Sequence, residues 1–500
     1  MQLTMYVVKK KIFWFAIISR ALILILQFLF NIICPDHNAD AFRSPHDIHE
    51  YVSNYDIVVK FIFGGLIRWD GEYFIHIAKY GYTYENMLAF YPLYPATIRI
   101  TAMIIRKIFF VLNVHSSLVV AAILINYVCF VKSVSIFFDL SKIVLKNNSI
   151  AYKATILYCI SPASIFFSAA YTESMFAYFT FYSMLKSIKN NISTIFPLGL
   201  STLIRSNGII NVGFLIYFRF KSIFNKLTVE ISSKDKISII KLCNLIIKKS
   251  FIQSMFLLLI ITILTLLPII FLQIYNYVTF CKTTLNVPIL PTHIVDYATQ
   301  NNLVLQYNAT SSTWCHEKIP IAYSYIQEKY WNVSFLNYYK LKQIPNFILA
   351  FPILYIMIKC ITEFYSEHKM LFFSLGLIDI KYEKNISEKK YPAEMFVFVI
   401  HGLFLTVFCI CFVHIQVSTR LLCSASPLVY WYCALSLSYL PQFENVSDSI
   451  CKDEEHLFSK WKMLFLSKQK YTLVDKLILF YFLGYTIIGC FMFVNFLPWT

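Results

Sequence analysis

The sequence predicts an all-α polytopic membrane protein, and three observations carry that fold class. Hydrophobic residues make up 58% of the 500 and charged residues 14%, where soluble chains run at about 45–50% and about 25%. The apolar residues recur in runs of about 17–25, the length that spans a hydrocarbon core of about 30 Å. Basic residues collect between those runs, where they orient a membrane protein by facing the cytosol.

The same loop bias accounts for the net charge of +17, so no nucleic-acid partner is expected. The 47 Phe and 35 Tyr suit helix packing and membrane interfaces and say little about function. No C-x-x-C pair occurs among the 13 cysteines. Cys34, Cys281 and Cys315 fall in stretches assigned to an oxidising lumen, which leaves room for one disulfide among them.

Taken in order, the elements form a single membrane domain over 1–500. The run 12–33 follows Lys9, Lys10 and Lys11 and reads as an uncleaved signal anchor with a cytosolic N-terminus. A net acidic first lumenal loop follows at 34–96. Residues 97–113 carry Arg99, Arg106 and Lys107 and either cross or dip in and return. The dip is favoured, because the next helix, 115–138, leads to a basic stretch with Lys142, Lys146 and Lys153. Short segments 151–167 and 172–188 rise and come back around "SAAYTES" (168–174). Residues 194–218 read as two half-helices around "RSNG" (205–208), since Arg and Gly in mid-membrane are tolerated where they face a cavity. The stretch 219–250 is a basic cytosolic loop. Further spans are expected near 251–275, 344–362, 393–415, 421–440 and 476–497. They enclose a second lumenal loop, 276–343, cytosolic loops 363–392 and 441–475, and a lumenal C-terminus. This threading exposes only two of the six N-x-S/T sequons to lumenal glycosylation, Asn308 and Asn332.

Chemistry is best placed in the loop after the first helix. Asp70, in "RWD" (68–70), stands at a membrane–water boundary, where a carboxylate can act as general base for a sugar hydroxyl. The same "WD" also suits a simple interfacial anchor, and Trp69 either anchors or stacks on a sugar. Asp70 and Glu72 are two residues apart and do not share a helix face, so they are not a carboxylate pair. "FYPLYP" (90–95) suits a groove for a lipid-linked substrate or a rigid entry into a helix. Glu173 and Arg205 are charges in apolar surroundings, justified by mutual structure or by substrate. Arg205 and Arg420 are candidates for a phosphate, through the planar guanidinium fork, and Asn207 lies beside the first of them. The Tyr- and Trp-rich stretch 314–347 suits carbohydrate or a membrane surface. No metal-ligand set, Walker loop or G-x-G-x-x-G is present.

Seven stretches together resemble the GPI mannosyltransferase II family, the PIG-V type. They are "FNIICPDHNADAF" (30–42), "RWDGEYFIHIAKYGYTYENMLAFYPLYP" (68–95), "SPASIFFSAAYTES" (161–174), "LIRSNGIINVGFL" (203–215), "IPIAYSYIQEKYWNVSFLNYYKLKQIPNF" (319–347), "HIQVSTRLLCSASPLVYW" (414–431) and "NFLPWT" (495–500). The stretches 219–250 and 441–475 match poorly.

The resemblance implies a GT-C type glycosyltransferase of the endoplasmic reticulum membrane. It implies dolichyl-phosphate mannose as donor and no metal or cofactor. It further implies transfer of the second, α1,6-linked mannose onto a GPI precursor with inversion. A lumenal Asp, here Asp70, would be the base. Glu173, Arg205, Asn207, Arg420, Trp69 and Glu72 would be binding residues, and the family's fungal members work with a small membrane partner subunit. The competing readings are a different dolichyl-phosphate-mannose transferase and, in another class, a transporter or scramblase. The latter would be expected to carry inverted repeats, and the sequence shows none.

Overall fold

The structure, a computed structural model, describes residues 2–45, 47, 50–232, 249–282, 290–307, 312–377, 389–438 and 471–499. Asn308 and most of the expected cytosolic loop 441–475 lie outside the described residues. So do the middle of 219–250 and residues 378–388 within 363–392.

The described residues are mostly helical, with no strand among them beyond one isolated bridge. Helix α1 (Gln2–Ile33) is followed by α2 (Asn54–Phe63), α3 (Asp70–Tyr80), α4 (Leu93–Ile108) and α5 (Val114–Leu145). Then come α6 (Asn148–Cys159), α7 (Glu173–Ile188), α8 (Ile195–Thr202), α9 (Val212–Ser232) and α10 (Lys249–Cys281). Short helices α11 (Thr292–Gln300) and α12 (Ala322–Trp331) precede α13 (Ile344–Glu367), α14 (Lys369–Phe373) and α15 (Phe396–Cys411). Last are α16 (Ser418–Ala425), α17 (Leu428–Ser436) and α18 (Leu473–Val494).

Six of these, α1, α5, α10, α13, α15 and α18, are long and apolar enough to cross a membrane, α13 and α15 together with the 3-10 turns that lead into them. The protein is therefore a multi-pass membrane protein. Helix α4 has 16 residues, about 24 Å at 1.5 Å per residue, which is shorter than the hydrocarbon core. It buries Ile98, Ala102 and Ile105 and exposes Ile100, Met103 and Ile104.

Several boundaries differ from the sequence expectation. Helix α9 continues to Ser232 into the stretch expected as loop 219–250, α10 to Cys281 past the start of 276–343, and α13 to Glu367 past the start of 363–392. The expected span 421–440 is two short helices broken at Ser426, whose backbone is extended (φ −121°, ψ 128°). Pro427 follows, and a residue before proline is pushed out of the helical region.

The same chemistry ends α6 early. The expected segment 151–167 is helical only to Cys159, because Pro162 follows Ser161. The non-helical stretch 160–172 is buried throughout, and irregular backbone at that depth needs partners. Arg20 of α1 supplies them. Its guanidinium donates to the Cys159 carbonyl at 2.9 Å, the Ser164 carbonyl at 2.7 Å and the Ser164 and Ser168 hydroxyls at 3.2 Å. It also lies 4.0 Å from the centroid of the Phe130 ring.

Outside the bundle, the segments after α1 and after α10 pack on each other. Ile77, Tyr84, Met87, Trp314 and Ile326 form a second apolar core there. A disulfide joins Cys281 to Cys315, while Cys34 is a free thiol.

Candidate active site

Asp70 is the first residue of α3 and Glu173 the first of α7. A helix N-terminus carries unpaired N–H groups and a partial positive charge, which favour a carboxylate there. The chain enters α3 through Trp69, whose φ of 52° is rare for a side-chain-bearing residue. Such a conformation persists only where its surroundings enforce it. The Asp70 N–H donates to the Tyr171 hydroxyl at 3.1 Å. The Ala170 N–H donates to the Leu66 carbonyl at 3.1 Å. Together they pin the start of α3 to the 160–172 stretch.

Arg205 and Arg420 meet these two carboxylates. Arg420, in α16, places Nη1 2.7 Å from Asp70 Oδ2 and 3.9 Å from Glu173 Oε1. Arg205, preceding a 3-10 turn over Ser206–Asn211, donates to Glu173 Oε1 and, at 3.4 Å, to the Thr172 hydroxyl. The result is an alternating chain Asp70–Arg420–Glu173–Arg205. Glu173 is fully buried, and Asp70 is the most exposed of the four, at 27%. The sequence left both arginines open to a phosphate or to a structural role, and in the structure each is paired with a carboxylate. Arg420 also faces the Tyr171 ring at 5.5 Å and the Phe166 ring at 5.6 Å.

The turn that carries Arg205 needs Gly208. A Cβ there would collide with the main chain at Ser201 and Thr202, so the turn and the end of α8 approach as only glycine permits.

Several polar atoms in this region are buried with no hydrogen-bond partner. They are Trp69 Nε1, Glu173 Oε2, Arg420 Nε and both side-chain ends of Asn207. Buried polar groups are normally paired, so these are the atoms a polar substrate would satisfy. Trp69 packs edge-on against Phe496, whose ring also lies 4.4 Å below the Arg68 guanidinium. Arg68 in turn donates to the Val494 carbonyl at 2.9 Å and pairs with Asp36 at 3.1 Å. The terminal motif thus buttresses "RWD".

Glu72 does not join the cluster. It accepts the Ser44 N–H at 3.4 Å, and burial pushes its carboxyl up to about 7, only partly offset by that N–H and by Arg68 and Arg43. On the same helix, His76 is buried between the Ser44 and Thr83 hydroxyls, each at 2.8 Å, and burial lowers its ring to about 3. Two tyrosines at the cluster escaped sequence reading, Tyr171 and Tyr323. Each lies in a quoted motif, but among 35 tyrosines nothing marks which ring turns inward. Among the described residues no group of three or more His, Cys, Asp or Glu could hold a metal ion.

The fold and this cluster define a class: a multi-pass membrane protein whose charged site is assembled at helix termini. Comparison with known proteins narrows the class. The family model described as "Mannosyltransferase (PIG-V)" matches residues 9–500, and the chain belongs to that family. It is a mannosyltransferase. The chain is 34% identical to "GPI alpha-1,6-mannosyltransferase 2" of Cricetulus griseus, over 98% of this chain and 99% of that one. It is 32% identical to the human protein of the same name, over the same shares. It is 35% identical to "GPI mannosyltransferase 2" of Drosophila melanogaster, over 85% of this chain and 90% of that one. No solved structure matches the chain.

Proposed function

We propose that this mannosyltransferase adds the second, α1,6-linked mannose to the GPI-anchor precursor, on the lumenal face of the endoplasmic reticulum membrane. Its donor would be dolichyl-phosphate mannose. Near full-length similarity to relatives named for that step supports the acceptor and the linkage. The observation that carries the site is the Asp70–Arg420–Glu173–Arg205 chain, built on the first residues of α3 and α7.

Both substrates are lipid-anchored, so the base must sit just above the bilayer, and this reading assigns that place to Asp70 in the first turn of α3. In this reading Asp70 takes the proton from the 6-hydroxyl of the first mannose as that oxygen attacks the anomeric carbon. The bond from that carbon to the phosphate oxygen breaks, its electrons leave with dolichyl phosphate, and the β-linked donor becomes an α-linkage. Arg420 fixes the carboxylate through Oδ2, and its unpaired Nε, with Arg205, offsets charge developing on the phosphate. Asn207 and Trp69 bind sugar hydroxyls.

The test is complementation of cells lacking their second GPI mannosyltransferase, reading surface GPI-anchored protein. Wild type should rescue, and Asp70→Asn at equal expression should not. Rescue by both would remove Asp70 as base. Rescue by neither, with both proteins present, would point to another acceptor or to a missing partner subunit.

A further inference from the structure

We propose that Glu85 is a positioning residue for mannosyl transfer, and that Tyr323, on the helix it holds, is a substrate-contacting residue of the Asp70 cluster. The proposal rests on the reading of Asp70 as the reacting centre.

Glu85 follows α3 in a 3-10 turn and is fully buried. Its Oε1 accepts from the Ser312 hydroxyl and from Trp314 Nε1 at 2.9 Å. Its Oε2 accepts from Lys329 Nζ at 3.0 Å and the Tyr330 hydroxyl at 2.9 Å. All four donors come from the segment between α10 and α13. Burial alone would raise this carboxyl, but the four donors hold it below the usual carboxylate range. The main chain repeats the link. The Glu85 N–H donates to the Val304 carbonyl at 2.9 Å, the Gln306 N–H to the Thr83 carbonyl at 3.1 Å, and Tyr84 bridges Leu305.

Lys329 and Tyr330 stand near the C-terminal end of α12. Tyr323 is seven residues before Tyr330, two turns back on the same face, with the buried Ile326 between them. At that end the Ser206 hydroxyl donates to the Tyr323 hydroxyl at 2.9 Å, next to Arg205, and the Tyr91 ring packs at 5.8 Å. Burial raises the Tyr323 hydroxyl above its ordinary value; the Ser206 hydrogen bond, Arg205 and Arg420 oppose that, and Asp70 adds to it. Helix α12 therefore brings a hydroxyl to the Arg205 end of the cluster. Glu85 anchors that helix to the turn immediately after α3. Nothing in the pairing of Asp70 with Arg420 requires α12, so an anchor this heavily hydrogen-bonded has a use in closing the site around a sugar.

The test uses the full-length protein in membranes, with radiolabelled dolichyl-phosphate mannose and an acceptor bearing one mannose. The variants are Tyr323→Phe, Glu85→Gln, their double variant and Asp70→Asn, normalised to protein amount. Tyr323→Phe should lower kcat about tenfold, as loss of one hydrogen bond to a charged or reacting group does, with little change in donor KM. Glu85→Gln should lower kcat similarly, and the double variant should fall no further than the larger single effect. Wild-type kcat in Tyr323→Phe, or multiplying effects in the double variant, would overturn the proposal. Were Glu85→Gln not to accumulate, Tyr330→Phe and Lys329→Met each remove one donor and enter the same cycle. Inactive Asp70→Asn beside fully active Tyr323→Phe would sink this inference alone, whereas active Asp70→Asn would sink the reading of the site with it.

Discussion

Asp70 and Arg420 are 350 positions apart in the chain, and their side chains meet at 2.7 Å. The contact joins the start of α3 to α16 and orients the carboxylate. Loss of a general base typically slows transfer by about 10²–10⁴-fold, and that is the expected drop for Asp70→Asn. Arg420→Lys keeps the charge but loses the planar fork, so it should retain part of the activity that Arg420→Met loses. Initial transfer rates on equal amounts of membrane-embedded protein decide it.

Glu173 is the structural centre of the charged cluster, since both Arg205 and Arg420 face its Oε1. Removing one partner of a buried ion pair costs about 3–5 kcal/mol. Glu173→Gln should therefore lower the unfolding temperature in detergent. Adding Arg205→Met should recover part of the loss, because the cation left unpaired is gone. A double variant less stable than Glu173→Gln would contradict this.

Two groups on α3 give the first segment an unusual pH response. Glu72 stands at about 7 against an ordinary 4.5, because it is buried. Between those values the folded protein keeps a proton the unfolded chain has released, so stability falls as pH rises. His76 stands at about 3 against 6.5, also through burial, with Lys79 and His293 adding to it. Between those values the unfolded chain binds a proton the folded protein refuses, so stability rises with pH. The two slopes cancel over about pH 4.5–6.5 and leave a plateau. Glu72→Gln should remove the decline above pH 6.5 and turn the plateau into a rise with pH. Hydrogen exchange of the α3 amides across this range would show it.

Arg20 is 1% exposed and holds the backbone of the 160–172 stretch. Hydrogen bonds to a charged group are worth about 1.5–3 kcal/mol each. Arg20→Leu leaves two buried carbonyls unpaired and should reduce accumulation of folded protein severely. Arg20→Lys should recover only part, because one ammonium lacks the reach of the fork. Near-normal levels of Arg20→Leu in a fluorescence size-exclusion assay would show that the stretch is held by other means.

Asn332 and Asn147 are both exposed and both head sequons. The lumenal placement of the segment after α10 predicts a glycan on Asn332 and none on Asn147. Ser334→Ala should abolish one glycosidase-sensitive shift in mobility, and Ser149→Ala should change nothing. The opposite pattern would invert the threading.

The half-helices around "RSNG" were legible because a glycine and a charge interrupt an apolar run, and the structure places α8 and α9 on either side of that turn. The break at Ser426–Pro427 and the early end of α6 at Ser161–Pro162 carried equally local signals, but the expected segments 421–440 and 151–167 ran through both prolines. Asp70, Glu173, Arg205 and Arg420 stood out singly, as charges in apolar or interfacial positions. Tyr171 and Tyr323 did not, since 35 tyrosines share their composition signal.

The sequence by itself determined that this is a helical multi-pass membrane protein, and its ordered motifs pointed to the mannosyltransferase family. Those properties reside in local composition, run length and short motifs, which need no partner to be read. Only the tertiary structure decided that Arg420 takes Asp70, that Arg205 takes Glu173, and that Glu85 ties α12 to the turn after α3. A charge's partner depends on which segments meet when the helices pack, and here the partners lie 32 to 350 positions apart.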